Sequence, residues 1–171
     1  MRTRRVLKGA GLALLMTACA PTHNGGPGQQ DTRSTSVDAA AYVTLERGPC
    51  FGTCPVYEVE VDAQGVVTFD GRRFVDQIGT ATAQIPADSA ASLMRSIEAD
   101  GFFQLDPRYH YGDKGCGAYH TDAPHVTLTL SLEGRAHTVQ LDYGCTGAPE
   151  VLRRMHESVD SVTGVARWIT S

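Results

Sequence analysis

Apolar and polar residues alternate between residues 126 and 141, and this alternation constrains the fold more than any other feature of the chain. Val126 and the three alternate residues that follow it are apolar, a pattern typical of a β-strand with one buried face. A two-residue turn at Glu133 and Gly134 sets Val126 opposite Leu141, which keeps the apolar residues of both strands on one face. The alternation therefore predicts an antiparallel hairpin.

Residues 57–69 predict a second hairpin, and the length of its turn follows from the same rule. A two-residue loop would place apolar side chains on the wrong face of the sheet. A three-residue loop that ends at Gly65 instead pairs Val61 with Val67. This loop needs a left-handed backbone at its last position, which glycine adopts readily. We therefore predict the three-residue loop.

Two later segments, residues 86–100 and 149–163, carry apolar residues at helical spacing. Each begins with proline and is followed by glycine, which are typical start and stop signals of a helix. The apolar positions are Ala90, Leu93, Met94 and Ile97 in the first segment and Leu152, Met155, Val159 and Val162 in the second. Hairpins and helices in separate runs predict an α+β fold, an antiparallel β-sheet built from hairpins with two helices packed on one face. Trp168, the only tryptophan, is expected to hold the C-terminal tail on the core.

Residues 1–18 have the pattern of an export signal. Basic residues up to Lys8 precede an apolar run of roughly half the length that a membrane-spanning helix needs. Small residues before Cys19 resemble the lipobox of bacterial lipoproteins, in which that cysteine is acylated and becomes the mature N-terminus. The alternative is plain secretion, with cleavage near Ala18 or Ala20. The N-terminal arginines also resemble part of a twin-arginine signal, but ordinary secretory export is the first expectation.

The remainder of the chain divides into a tether and one domain. Residues 19–40 are rich in Gly, Pro, Gln, Ser and Thr and are predicted to be a lipidated cysteine followed by a flexible tether. Residues 41–171 are predicted to form a single globular domain. We expect acylated Cys19 to hold the protein on a membrane of the bacterial cell envelope. In a Gram-negative source this is the periplasmic face of the outer membrane.

The charge of the chain argues against nucleic acid as a partner. Once the four basic residues of the signal are set aside, 11 basic side chains face 19 acidic ones. Proteins that bind nucleic acid neutralise phosphates with lysine and arginine, and this composition leaves no basic surface for that purpose.

Four cysteines lie beyond the signal and its lipidated cysteine. In an exported protein an even number of cysteines indicates disulfides, and four cysteines allow three pairings. The register of the hairpin at residues 126–141 brings Cys145 opposite Asp122, within reach of a loop that carries Cys116. We therefore predict the disulfides Cys50–Cys54 and Cys116–Cys145.

The stretch from Cys50 to Pro55 has the form C-x-x-x-C-P, which is similar to the copper-binding motif of the SCO-type assembly proteins. In that motif the cysteines open a helix, whose N-terminus favours thiolates. Here a predicted strand follows Pro55, so the context differs. A thiol-redox or metal-binding role for Cys50 and Cys54 is therefore the alternative hypothesis.

Several short motifs occur together along the chain. They are C-x-G-x-C-P-x-Y at Cys50, Gly52, Cys54, Pro55 and Tyr57, Gly65 in a turn, Phe102 and Phe103 after a helix, and T-D-x-P at Thr121, Asp122 and Pro124. Together they resemble one uncharacterised bacterial family, a domain of unknown function that is often found on lipoproteins. The resemblance covers roughly residues 42–168. It implies the fold and the envelope location, and it carries over no catalytic residue.

The loop from Asp106 to His125 concentrates aromatic, histidine and acidic side chains. The candidate binding residues are Tyr109, His110, Tyr111, Asp113, His120, Asp122 and His125. Histidines and carboxylates are ligands for zinc or copper, but their spacing here matches no metal motif. We therefore predict a binding loop without a metal, in which the hairpin register sets His125 opposite Asp142. His137 and His156 are expected at the surface or the rim.

The sequence contains no local catalytic or cofactor-binding motif, which favours a protein that is not an enzyme and holds no cofactor. Tyrosine-rich loops on a rigid scaffold favour a binding role. We therefore predict an exported, lipid-anchored, disulfide-bonded protein of the cell envelope that binds a protein or a small molecule. The alternative is an envelope metal-binding or thiol-redox protein that uses Cys50 and Cys54 or the His110–His125 loop.

Overall fold

Seven β-strands and two α-helices form the fold in the computed structural model, which describes residues 37–169. The predicted signal peptide, Cys19 and most of the predicted tether lie outside these residues. The strands are β1 Tyr42–Arg47, β2 Val56–Asp62, β3 Val66–Arg73, β4 Gly79–Gln84, β5 Arg108–Tyr109, β6 His125–Leu132 and β7 Arg135–Asp142, and the helices are α1 Ala87–Ala99 and α2 Glu150–Thr163. Within the described part of the chain, no helix is both long and apolar enough to span a membrane.

All seven strands belong to one sheet, in the order β4-β3-β2-β1-β6-β7-β5. Every neighbouring pair is antiparallel except β5 and β7, which run parallel over two residues. Both helices follow strands in the chain and pack on one face of this sheet. The predicted α+β class is therefore confirmed.

Both predicted hairpin registers are present. In the β2–β3 hairpin, Val61 lies opposite Val67, and the backbone of Gly65 is left-handed with φ +79°. A Cβ atom at Gly65 would lie 2.2 Å from the carbonyl oxygen of Ile85, so both the backbone angle and the space require glycine. In the β6–β7 hairpin, Val126 lies opposite Leu141.

One face of the sheet and the apolar stripes of both helices share a single hydrophobic core. The ring of Trp168 stacks on that of Phe69 with a centroid distance of 4.8 Å. The Trp168 carbonyl also accepts hydrogen bonds from the N–H groups of Asp76 and Gln77. The expectation that Trp168 holds the C-terminal tail on the core is therefore confirmed.

The other face of the sheet, here called the open face, carries polar side chains. One row across it contains Thr82, Thr68, Glu60, Thr44, Thr129 and Thr138. The row ends at one side on β4, the outer strand of that edge, and at the other side on β7, which β5 flanks over only two residues.

Candidate functional site

Three loops lie at one end of the sheet, where β1 and β7 end and β2 and β6 begin. Arg47 at the end of β1 lies opposite Tyr57 and Val126, and His125 lies opposite Asp142, as predicted. The loops are residues 48–55, 110–124 and 143–149, and together they are called the loop end below.

The first of these loops is closed by the Cys50–Cys54 disulfide and is bound to the second loop. The N–H of Gly48 donates to the carbonyl of His125 at 2.8 Å, and the N–H of Phe51 donates to that of Asp122 at 3.2 Å. A Cβ atom at Gly48 would lie 2.4 Å from Nε2 of His125, so the absence of a side chain lets the imidazole pack against this backbone. The two loops therefore form one continuous surface.

The second loop is closed onto the end of β7 by the Cys116–Cys145 disulfide. The structure thus contains both disulfides in the predicted pairing. One detail of the prediction was wrong, because Tyr119 rather than Asp122 lies opposite Cys145. The loop turns back on itself and makes three backbone hydrogen bonds with residues 144–147. These bonds, and not a longer strand ladder, set the local register.

A partly buried polar network beneath the loop end fastens β1 and β2 to α2. Nε and Nη2 of Arg47 both donate to Oδ2 of Asp160, at 2.9 and 2.5 Å. The Tyr57 hydroxyl donates to Oδ1 of the same carboxylate at 2.7 Å. Burial lowers the pKa of Arg47, but the Asp160 carboxylate and the hydroxyls of Tyr57 and Tyr143 together outweigh burial and raise that pKa above its ordinary value. Burial, and then the same carboxylate, raise the pKa of Tyr57, so the hydroxyl stays a donor at neutral pH.

His156 on α2 extends this network into the interior. Its Nδ1 lies 2.9 Å from the Tyr143 hydroxyl, while its Nε2 has no hydrogen-bond partner among the described residues. Burial, and then the positive charges of Arg47 and Arg153, lower the pKa of His156 from 6.5 to about 3. The expected surface or rim position of His156 was therefore wrong: the imidazole is fully buried and uncharged. Met155 lies on the buried face of α2, and the next residue, His156, is buried on the same face. The spacing of the apolar residues alone does not show how far this buried face extends around the helix.

The predicted binding loop divides into two parts, and the first is held by local bonds. Tyr109 is buried in β5, where its hydroxyl accepts a hydrogen bond from the N–H of Asp106. The carboxylate of Asp113 accepts hydrogen bonds from the Arg108 guanidinium and from the N–H of His110. The bond from Arg108, followed by that from His110, lowers the pKa of Asp113. Tyr109, His110 and Asp113 thus brace the loop.

The second part of the loop presents side chains to solvent. Tyr111 is 77% exposed, and its ring lies 5.1 Å from that of Tyr119. The other exposed candidates are His120, Asp122 and His125. Phe51, which is 87% exposed on the neighbouring loop, is absent from the residues predicted from the sequence. Its position between two paired cysteines is the sequence signal that points to it.

The geometry does not bring together the ligands that the metal-binding hypothesis needs. Within residues 37–169, no group of three His, Cys, Asp or Glu side chains is placed to hold a metal ion. Cys50 and Cys54 are joined in a disulfide, and strand β2 follows them, whereas a helix N-terminus is what lowers the pKa of a thiol. Neither arrangement favours the alternative hypothesis.

A shallow groove of about 650 Å³ lies beside the braced part of the loop. Thr138 and Gln140 of β7 form one wall, and Arg108 and Lys114 contribute its positive charges. The guanidinium of Arg108 is already paired with Asp113. The groove therefore extends the loop end along the outer edge of β7.

Comparison with known proteins places the domain in a described family. A family model described as Domain of unknown function (DUF6438) matches residues 41–163, a range that contains every strand and α-helix named above. No curated protein matches the chain.

Proposed function

The chain belongs to the DUF6438 family, a family of unknown function, and we propose that it is a lipid-anchored binding module of the bacterial cell envelope without catalytic activity. Its binding surface is the loop end, and its anchor is acylated Cys19. The observation that carries the proposal is the position of Phe51, a highly exposed aromatic side chain on a loop that a disulfide and two hydrogen bonds hold in place.

The disulfides support the proposed location. Such bonds persist in oxidising compartments outside the cytosol, and both Cys116 and Cys145 are almost fully buried. The sequence pattern before Cys19 also supports this location, because it is typical of export followed by acylation. Two or more acyl chains hold a protein stably on a bilayer.

We expect a clickable fatty-acid analogue supplied to growing cells to label the wild-type chain and not the Cys19→Ser variant, because the fatty-acid-bearing lipid of a lipobox protein is attached at the cysteine. Ala20→Ser is the matched control, since it changes the neighbouring residue and keeps the thiol. In-gel fluorescence of the purified chains measures the label. Equal labelling of wild type and Cys19→Ser would rule out Cys19 as the anchor.

The arrangement of charges supports binding rather than catalysis at the loop end. Arg47, Tyr57 and Asp160 satisfy one another, so their functional groups fasten strands to a helix. The exposed groups are instead the aromatic rings of Phe51 and Tyr111. Aromatic side chains on rigid loops bury much apolar area on binding and lose little conformational entropy.

We expect a photo-crosslinking phenylalanine analogue at position 51 or 111 to form covalent adducts with a cell-envelope component in living cells. The same analogue at Glu157, an exposed position on α2, is the control and should form none. Gel shifts and mass spectrometry identify the adducts. Adducts of equal yield at all three positions, or none at 51 and 111, would contradict a binding surface at the loop end.

A further inference from the structure

Strand β4 forms one edge of the sheet, and within residues 37–169 no segment pairs with its outer side. Its inner side pairs with β3. From Ile78 to Pro86 the chain carries no charged side chain, and β4 itself contains no proline. Natural proteins usually protect such an edge with lysine, proline, a bulge or a covering segment, because its unpaired N–H and C=O groups readily pair with another strand.

The opposite edge of the same sheet is protected in the usual way. There β5 is only two residues long and begins with Arg108, while β7 begins with Arg135. A second strand that approached this edge would meet a charge at either position. The contrast within one sheet identifies β4 as the edge that is open to pairing.

Exposed apolar side chains also lie on the hairpin that β3 and β4 form. Within residues 37–169, three of the five large apolar residues that are exposed, Val66, Phe74 and Ile78, lie on this β3–β4 hairpin. The backbone of Phe74 is left-handed with φ +55°, a conformation that costs a bulky residue on the order of 1 kcal/mol or more. The hairpin therefore presents apolar surface and local strain beside an unpaired strand.

We propose that a second copy of this chain pairs with β4, antiparallel and about a two-fold axis, so that the two sheets join into one of fourteen strands. The charge distribution selects this partner. In a two-fold strand pair each residue faces itself or a near neighbour in the other copy, so any charged residue would face a like charge. The strand β4 has none, so two copies can pair along it without bringing like charges face to face.

The side chains of β4 suit this pairing. With Thr82 at the axis, Thr80 faces Gln84 of the second copy, and the open faces of both copies stay on one side. Cross-strand threonine pairs are favourable on a sheet surface. Ala81 and Ala83 on the opposite face are small, so the two backbones can approach to the normal strand spacing of about 4.8 Å.

The first test uses cysteine substitutions in the full chain, purified in detergent and treated with a mild oxidant. Three variants test three registers of the pair: Thr80→Cys, Thr82→Cys and Gln84→Cys, each of which faces its own copy if the two-fold axis passes through that residue. Thr68→Cys, which lies on β3 in the same row, is the matched control. We expect at least one β4 variant to run as a covalent dimer on a non-reducing gel and Thr68→Cys to remain monomeric. A dimer at none of the β4 positions, or one equally strong with Thr68→Cys, would overturn the proposal.

The second test asks whether charge controls the association. Thr82→Lys and Thr82→Glu each place a charge where it faces its own copy, so each variant alone should lose the dimer in sedimentation velocity. An equimolar mixture should restore it, because opposite charges then face each other. Thr82 is exposed, and a single cooperative unfolding transition of each variant establishes that it folds. If the wild-type chain stays monomeric while the β4 amides are protected from hydrogen exchange, another segment of the same chain pairs with β4. That result would refute self-association.

Discussion

Between pH 6.5 and about 3, His156 alone is expected to lower the free energy of unfolding by as much as about 1.4 kcal/mol for each pH unit. The folded state holds this imidazole uncharged, whereas the unfolded chain takes up a proton near pH 6.5. Stability from neutral His156 is therefore fully present above the unfolded pKa and is lost as the pH falls towards the folded one. Protonation in place would add a third cation beside Arg47 and Arg153 in a buried site.

Urea unfolding at pH 7.0, 6.0 and 5.0 measures this slope above the range in which most carboxylates titrate. His156→Gln keeps a polar side chain near Tyr143 but cannot titrate, so its stability should change little over the same interval. His120→Gln, at an exposed position of the loop end, is the matched control and should retain the wild-type slope. Identical slopes for wild type and His156→Gln would show that the imidazole is not held neutral.

Removing the Cys116–Cys145 disulfide should lower the free energy of unfolding by about 3.6 kcal/mol on the loop-closure model, because the bond closes a long loop in the unfolded chain. The double variant Cys116→Ala/Cys145→Ala avoids both a free thiol and a buried hydroxyl. It also releases the second loop of the loop end from β7. Denaturant unfolding of both chains under oxidising conditions measures the difference.

The control for this prediction is the double variant Cys50→Ala/Cys54→Ala. Its disulfide closes a sequence separation of only four residues, so the same model gives the smaller value of about 2 kcal/mol. If the loss at Cys50 and Cys54 were the larger of the two, the short loop rather than the long one would be the main covalent support of the domain.

Local patterning predicted the β2–β3 and β6–β7 hairpins and both helices of this chain. The alternation around Val126 and the glycine at position 65 each admit one register, since a slip of one residue would turn every apolar side chain to water. The helices are bounded by Pro86 and Pro149 and by the glycines after them. These rules act over a few residues, and a single sequence displays them in full.

The sequence predicted less well which residues of the candidate site are exposed and which are buried. It grouped Tyr109 with Tyr111 because they are close in the chain, but the structure buries the first and exposes the second. It left out Phe51, whose exposure depends on hydrogen bonds to a loop about 70 residues away. A residue's chemistry is visible in the sequence, but its accessibility depends on which distant segment packs against it.

The sequence by itself determined the strands and turns of two hairpins, both helices and the number of cysteines available for pairing, because hydrophobic periodicity and turn chemistry are local properties. Only the tertiary structure decided that Tyr57 and Asp160, 103 residues apart, meet beneath the loop end. It also decided that His156 is buried and that β4 rather than β5 is the edge open to pairing. Each of these depends on the order of strands in the sheet and on the rotation of a helix about its axis. Many arrangements satisfy the same local pattern, and long-range packing selects one of them.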